Sequence, residues 1–352
     1  MTDAPDGRPD DIAPVLILST GRCGSTLVSE MLNRHPGVLS LSEFFITLGP
    51  GAFSEPAPDG EDMWRLLSRQ SPAFHSLLKG GDIVEENLYP FDAPGARFGP
   101  GDIPPVMTVA LPHLTPDHEA LFDELEPFVR AQPRRPLAEQ YRVLFAHLAE
   151  RFGKRVWVER SGGSLMLAAK LMRLFPDARI VHVYRDGRDT ALSMVRHHNF
   201  RVLLAMILLF RRYGVEARKV YLSPKGSRFN SWLQQVVFRL VDTEKLIAGG
   251  PGLDDFGRFW SDLVLVGQEA FGDLPPDRLL NLKFEDLQSS PRGNLQQLIR
   301  FIDPSLEDPA WLEQVAALPR PARSKYQALP PEQRDSLTQA CKPGLELLGY
   351  PL

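Results

Sequence analysis

The sequence has little cysteine. The two in 352 residues, Cys23 and Cys341, supply neither a disulfide framework nor metal-ligand spacing. That fits a reducing compartment, so a cytoplasmic location is expected. Long hydrophobic runs are lacking as well. The longest, Val202 to Phe210, is too short to cross a bilayer, and no transmembrane segment is expected. No charged stretch followed by an apolar one opens the chain. Residues 1–13 are polar and proline-bearing and read as a disordered tail. An excess of one charge is missing too, and a net charge of −4 argues against nucleic acid as the main partner. What is present is ordinary for a globular protein: 43% hydrophobic and 24% charged residues. The length suits one large α/β domain, over residues 14–350.

The chain is organised around residues 15–34. Val15 to Leu18 is an apolar run suited to a buried strand. Ser19 to Ser25 is a turn of small residues holding Gly21, Arg22, Cys23 and Gly24. Helical spacing resumes from Thr26 to Arg34, with Leu27, Met31 and Arg34 expected on one side and Val28 and Leu32 beside them. A strand, a glycine turn and a helix in that order aim backbone N–H groups and the helix dipole at one spot, which suits an anion. Arg22 adds a forked charge matched to phosphate or sulfate oxygens, and Ser25 and Thr26 add hydroxyls. Such turns also occur as plain structure, and these residues leave both readings open. The nucleoside-triphosphate signature is not met. Gly21 and Gly24 are too close together, and no lysine precedes Ser25.

Downstream, His35-Pro36-Gly37 stops the first helix, and Val38 to Leu41 reads as a second strand. Glu43 follows that strand, ahead of Phe44 and Phe45. It is either a general base at the carboxyl edge of a sheet or an exposed loop carboxylate. Residues 49–136 are rich in glycine and proline, with short helical patterns at Met63 to Ser68 and Glu119 to Arg130. They read as an insertion or lid. Leu137 to Phe152 is an amphipathic helix, Val156 to Glu159 a strand, and Leu165 to Phe175 a helix. Arg179 to Tyr184 is a strand rich in β-branched residues, followed by a charged turn and a helix from Thr190 to His198. Strand, loop and helix thus recur, which predicts a three-layer α/β/α fold of P-loop type around a mostly parallel sheet. Arg185 leaves the last of these strands, and Ser193 lies about two turns into the next helix. Both can face one ligand, or Arg185 and Arg188 can simply pair with Asp186 and Asp189. Residues 200–270 read as mainly helical and acceptor-side. Within them Val202 to Phe210 reads as a buried helix, a lipophilic pocket wall or a membrane-surface contact, Phe229 to Ile247 and Gly257 to Phe271 as helices, and Trp260 as a core residue or an adenine contact. Arg278 to Phe284 is the last strand. Leu295 to Ile302 and Pro331 to Leu348 are helices.

Together these stretches resemble sulfotransferases that use 3′-phosphoadenosine 5′-phosphosulfate, especially the bacterial and protein-tyrosine branches. The family's phosphosulfate loop is matched by Gly21-Arg22-Cys23-Gly24-Ser25-Thr26-Leu27, with Cys23 where serine is usual. The arginine and serine that the family presents to the 3′-phosphate are matched, at the same spacing, by Arg185 and Ser193. His35-Pro36-Gly37-Val38 followed by Glu43 matches the element whose glutamate serves some members as base. Phe175-Pro176-Asp177-Ala178 and Lys283-Phe284-Glu285-Asp286-Leu287 are also similar. Arg160 stands where the family has a lysine at a strand end, thought to assist the leaving phosphate. The closing basic loop is matched in part by Arg320, Arg323, Ser324, Lys325 and Tyr326.

The resemblance implies a sulfuryl transfer to a hydroxyl, from a nucleotide sulfate donor and without a metal. Positioning and preorganised positive charge should dominate such catalysis, by analogy with phosphoryl transfer. Arg22 and the loop N–H groups would hold the phosphosulfate, and Glu43 would take the acceptor proton. The acceptor, whether sugar, lipid, phenol or peptide, has no motif. Two rivals remain at this stage: a nucleotide-dependent kinase of P-loop type, and a catalytically degenerate binding or scaffold protein of the same fold.

Overall fold

Strands buried along their whole length, as Val15–Ser19, Val38–Ser42 and Val156–Arg160 of this chain are, can be satisfied only by a sheet covered on each side. The computed structural model shows this sheet. It describes residues 13–69, 87–212, 214, 250–272, 274–321 and 324–352. The strands are β1 (Val15–Ser19), β2 (Val38–Ser42), β3 (Val156–Arg160), β4 (Arg179–Tyr184) and β5 (Leu279–Lys283). They run in the order β2-β3-β1-β4-β5, and every pairing is parallel. The α/β three-layer expectation holds. Strand β1 is central and leads through helix α1 (Ser25–Asn33) toward β2 on one side. Strand β4 leads toward β5 on the other side. Connections that diverge in this way open a crevice at the carboxyl ends of β1 and β4.

Alternation along the strands sorts the two faces. Leu16, Leu18, Leu39, Leu41, Trp157 and Ile180 share one core cluster. It includes α2 (Phe44–Leu48) and, from the insertion, α3 (Gly60–Ser68), α4 (Pro105–Thr108), α5 (Ala110–Leu114) and α6 (His118–Arg130). It also takes in α7 (Leu137–Arg151) and α8 (Ala168–Leu174). Val15, Ile17, Val38, Val158, Val181 and Leu282 face the other way, against Val28, Met31 and Leu32 of α1. A third cluster joins α9 (Gly187–Val195), α10 (His198–Arg212) and α11 (Leu253–Phe271) to the C-terminal helix. Next come α12 (Phe284–Ser289), α13 (Pro291–Ile302) and α14 (Pro309–Val315), and α15 (Pro331–Leu347) closes the chain. The described parts of 49–136 hold helices, and their Met63, Trp64, Leu121 and Phe122 belong to the same cluster as the sheet face.

Some local expectations change. Helix α1 buries Ser25, Val28, Ser29, Met31 and Leu32, while Leu27 is only half-buried and Arg34 is exposed. The sheet therefore selects a face offset from the one that periodicity alone suggested. The helix after β4 begins at Gly187 rather than Thr190, because Asp186 caps it by accepting from the Arg188 N–H at 2.9 Å. Val202 to Phe210 is the middle of a longer helix whose first turn starts at His198. Trp260 is fully buried with its ring over Gly187, so it is a core residue. The expected tail at 1–13, apart from its last residue, the helix at Phe229 to Ile247 and the position of Arg323 lie outside the described residues.

Candidate functional site

The turn after β1 is built from left-handed backbone. Gly21, Arg22 and Gly24 have φ of 77°, 55° and 91°. Such a turn exposes successive N–H groups on its concave side, a geometry that attracts anions. Gly24 must be glycine for a second reason, since a Cβ there would sit 2.1 Å from the Phe284 ring. Ser19 braces the turn. Its Oγ accepts the Gly21 N–H at 3.2 Å and donates to Ser25 Oγ at 3.2 Å. Helix α1 has no side-chain cap and no acidic residue in its first turn, so its positive end is open to a ligand. The Cys23 side chain points away into the core, its Sγ donating to the Val183 carbonyl at 3.3 Å. Cys23 therefore contributes only main chain to the loop.

The turn after β4 converges on the same crevice. Arg22 Nε donates to Ser193 Oγ at 3.2 Å, which ties the first loop to α9. Arg22, Arg185, Asp189, Leu192, Ser193, Arg196, His197 and Lys325 line a cavity of about 240 Å³. Arg22, Arg185, Arg196 and Lys325 make it positive although the chain as a whole is acidic. Asp189 is the one carboxylate among the lining residues, and it is engaged. Its Oδ1 accepts the N–H groups of Lys325 and Tyr326 at 2.7 and 3.1 Å, and its Oδ2 lies 3.8 Å from Arg185. Arg188 turns inward instead. It grips Asp186 through two hydrogen bonds, at 3.0 and 2.7 Å, and lies 4.1 Å from the centre of the Tyr326 ring. The pairing expected of this charged turn is thus present for both arginines: Arg188 pairs with Asp186 and is buried, while Arg185 lies 3.8 Å from Asp189 and lines the cavity. A larger depression of about 480 Å³ is lined by residues 290–293 and 313, 316 and 317, and shares no residue with either loop.

A third group sits at the ends of β2 and β3. Phe44 and Phe45 turn into an aromatic cluster, 4.9 Å from Phe145 and 5.1 Å from Tyr141 between ring centres. Each such pair contributes about 0.5–1.5 kcal/mol beyond its buried area. That anchorage fixes the preceding residue, Glu43, in left-handed backbone at φ 57°. Glu43 is not an exposed loop carboxylate, since only 6% of its surface is accessible. One oxygen forms an ion pair with Arg160, and the other accepts the Gly162 N–H at 2.9 Å. Arg160, 4% exposed, also donates through Nε to Ser25 Oγ at 3.1 Å and through Nη2 to Thr26 Oγ1. Next to it, Glu159 points to the opposite face and is completely buried. Burial pushes its carboxyl up to about 8, against the opposing pull of hydrogen bonds from Ser161 and Phe45. From the insertion, His113 places Nε2 3.4 Å from Ser29 Oγ, and burial lowers its pKa to about 4, helped by the nearby charge of Arg160.

Two models of known protein families match the chain. The model of the sulfotransferase domain matches residues 166–318, which include Arg185 and Ser193. A second model, described as the sulfotransferase family, matches residues 109–219, which include Arg160. Both models describe sulfotransferases, and together they span residues 109–318 of this chain. No curated protein matches it. Among solved structures, it is similar to the sulfotransferase domain of the curacin biosynthetic pathway, at 14% identity and a TM-score of 0.46, over 97% of this chain and 99% of that one. It is also similar to a sulfotransferase of Mycobacterium avium, at 15% identity and 0.43, over 99% and 79%. A third likeness is to a sulfotransferase from Alicyclobacillus acidocaldarius, at 16% and 0.38, over 97% of each chain.

The structure brings Arg22, Arg185 and Ser193 around one cavity, and Ser25, Thr26 and Glu43 around Arg160. Gly21 and Gly24 shape the loop between these groups. Sequence reasoning missed Arg196 and His197 as lining residues. The signal was available, since they stand three and four places after Ser193 and share its helical face. It missed His113 because nothing local links residue 113 to residue 29. Among the described residues no cluster of histidine, cysteine and carboxylates is arranged to hold a metal, and no helix is long and apolar enough to cross a membrane.

Proposed function

We propose that this chain transfers a sulfuryl group from 3′-phosphoadenosine 5′-phosphosulfate to a hydroxyl group of an acceptor. The observation that carries the reading is the hydrogen bond from Arg22 to Ser193, which joins the two sulfotransferase motifs across a cation-rich cavity. Arg185, Ser193 and Arg196 suit a phosphomonoester, and charge-assisted bonds of this kind are the strong ones. The loop N–H groups, Arg22, Ser25 and Thr26 suit the phosphosulfate end. The donor supplies the sulfuryl group and a phosphate leaving group. The acceptor oxygen forms the new S–O bond, the bond from sulfur to the 5′-phosphate oxygen breaks, and Glu43 takes the acceptor proton. Residues 49–136, which bring His113 close to α1, are the candidates for choosing the acceptor.

Calorimetry with 3′-phosphoadenosine 5′-phosphate tests the reading without knowledge of the acceptor, with ATP, GTP and 5′-AMP as controls. Binding that requires the 3′-phosphate, and that weakens about tenfold or more in Arg185→Ala, is the expected result. Binding of ATP in preference would favour the kinase, and no binding by the folded protein would favour the scaffold.

A further inference from the structure

Arg160 is the meeting point of two parts of the site. Its Nε and Nη2 reach Ser25 and Thr26, at the open end of α1, and its Nη1 holds Glu43. Ser42 Oγ accepts from the same Nη1 at 3.4 Å, so every nitrogen of the guanidinium is engaged. Both members of the ion pair are almost removed from water, where attraction between charges is strong and removal of one partner is costly. The Glu43 backbone N–H also donates to the Arg160 carbonyl at 2.7 Å, so the two residues are registered by main chain as well. The Gly162 N–H holds the second Glu43 oxygen at 2.9 Å, so the carboxylate has a partner besides Arg160. The guanidinium is the more adaptable partner. Its bonds to Ser25 and Thr26 go to neutral hydroxyls, which exchange readily for a charged oxygen.

We propose that Arg160 couples the two substrate sites, with donor sulfuryl oxygens and the Glu43 carboxylate competing for its guanidinium. The inference rests on the sulfuryl-transfer reading. Without donor, Glu43 is neutralised by Arg160 and is a poor proton acceptor. An anion bound at the Ser25–Thr26 end of α1 draws charge from Arg160 and leaves Glu43 the stronger base. The site thereby favours acceptor deprotonation only when donor is in place. Arg160 positions and tunes Glu43 in this scheme, in addition to any direct role toward the leaving phosphate.

A double-mutant cycle on donor affinity tests the coupling. Calorimetry would measure 3′-phosphoadenosine 5′-phosphosulfate binding to the native chain, Glu43→Gln, Arg160→Gln and the double variant. Competition requires that Glu43→Gln tighten donor binding about tenfold in the native background, by releasing Arg160. The same substitution should change affinity by less than about twofold once Arg160 is gone. Equal tightening in both backgrounds would mean simple removal of a negative charge and would overturn the coupling, as would no tightening in the native background. If Arg160→Gln does not fold, Arg160→Lys replaces it in the cycle. A single ammonium lacks the fork needed to span Glu43 and the hydroxyls, so the tightening should again shrink below about twofold. Donor that binds while the cycle shows no coupling overturns this inference alone. Donor that binds none of the folded proteins overturns the proposed function with it.

Discussion

Glu159 is a carboxyl group placed where a charge is hardest to hold. It is completely buried beside the Phe45 turn, and its Oε2 has no hydrogen-bond partner. Its pKa is raised from 4.5 to about 8, so the folded protein keeps it neutral at ordinary pH. Below about pH 4.5 the group is neutral in both states and costs nothing. Between 4.5 and 8 the unfolded chain releases the proton and the folded chain does not, so stability falls as pH rises through that window. Glu159→Gln keeps an acceptor for Phe45 and Ser161 but cannot ionise. Urea unfolding from pH 5 to pH 8 should therefore show the native chain losing roughly 2 kcal/mol or more relative to this variant. Equal pH dependence in both proteins would show that Glu159 does not titrate in that window. The same local logic explains Gly24, where a left-handed turn and a ring against the α-carbon together exclude any side chain.

At the scale of elements, the cation-lined cavity depends on a short segment that leads into a single 3-10 turn at Tyr326–Ala328. Residues 324–326 are held to α9 by Asp189, which accepts two of their N–H groups, and by Tyr326 lying over Arg188. This segment brings Lys325 into the cavity. A carboxylate beside an anion site is otherwise unfavourable, so its structural bonds explain its presence. Asp189→Ala should free the segment. Limited proteolysis is expected to cut near 320–326 several-fold faster in the variant, and nucleotide binding should weaken despite the loss of a negative charge. Tighter binding with unchanged cleavage would contradict the anchoring role. Much of this scale was legible beforehand. The strand and helix assignments around both motifs came from hydrophobic periodicity, which reports burial on a known period. The offset face of α1 and the start of α9 were not legible, since tertiary contacts choose the face and a capping bond chooses the start.

At the scale of the whole molecule, the C-terminal helix completes the site from a distance. Leu337, Cys341 and Leu345 of α15 pack with Phe256 and Trp260 of α11, and Trp260 lies against Gly187 at the start of α9. Tyr350 then donates to Glu285 at 2.9 Å, and Glu285 accepts the Asp186 N–H at 3.0 Å. The turn that presents Arg185 is thus buttressed by the end of the chain. Deleting residues 331–352 should expose the third core cluster and abolish a cooperative thermal transition, with nucleotide binding lost together with it. Retention of a sharp transition would show that α15 is a separable appendage.

The layers and the motifs follow from the pattern of residues along the chain. Apolar runs on a strand period, glycine turns and helical spacing are local, and local physics suffices to read them. Resemblance to the sulfotransferase motifs singled out Arg22, Arg185, Ser193 and Glu43, where residue types alone left plainer readings open. Only the tertiary structure decided what those groups face. Arg22 meets Ser193 across 171 positions, and Glu43 meets Arg160 across 117, distances over which no pattern along the chain constrains a contact. The parallel sheet aligns Ser42 with Arg160 and Ile17 with the same residue, so the ends of β1, β2 and β3 deliver their turns to one edge. That register brings the glycine turn after β1 and the buried Glu43–Arg160 pair to one edge of the sheet.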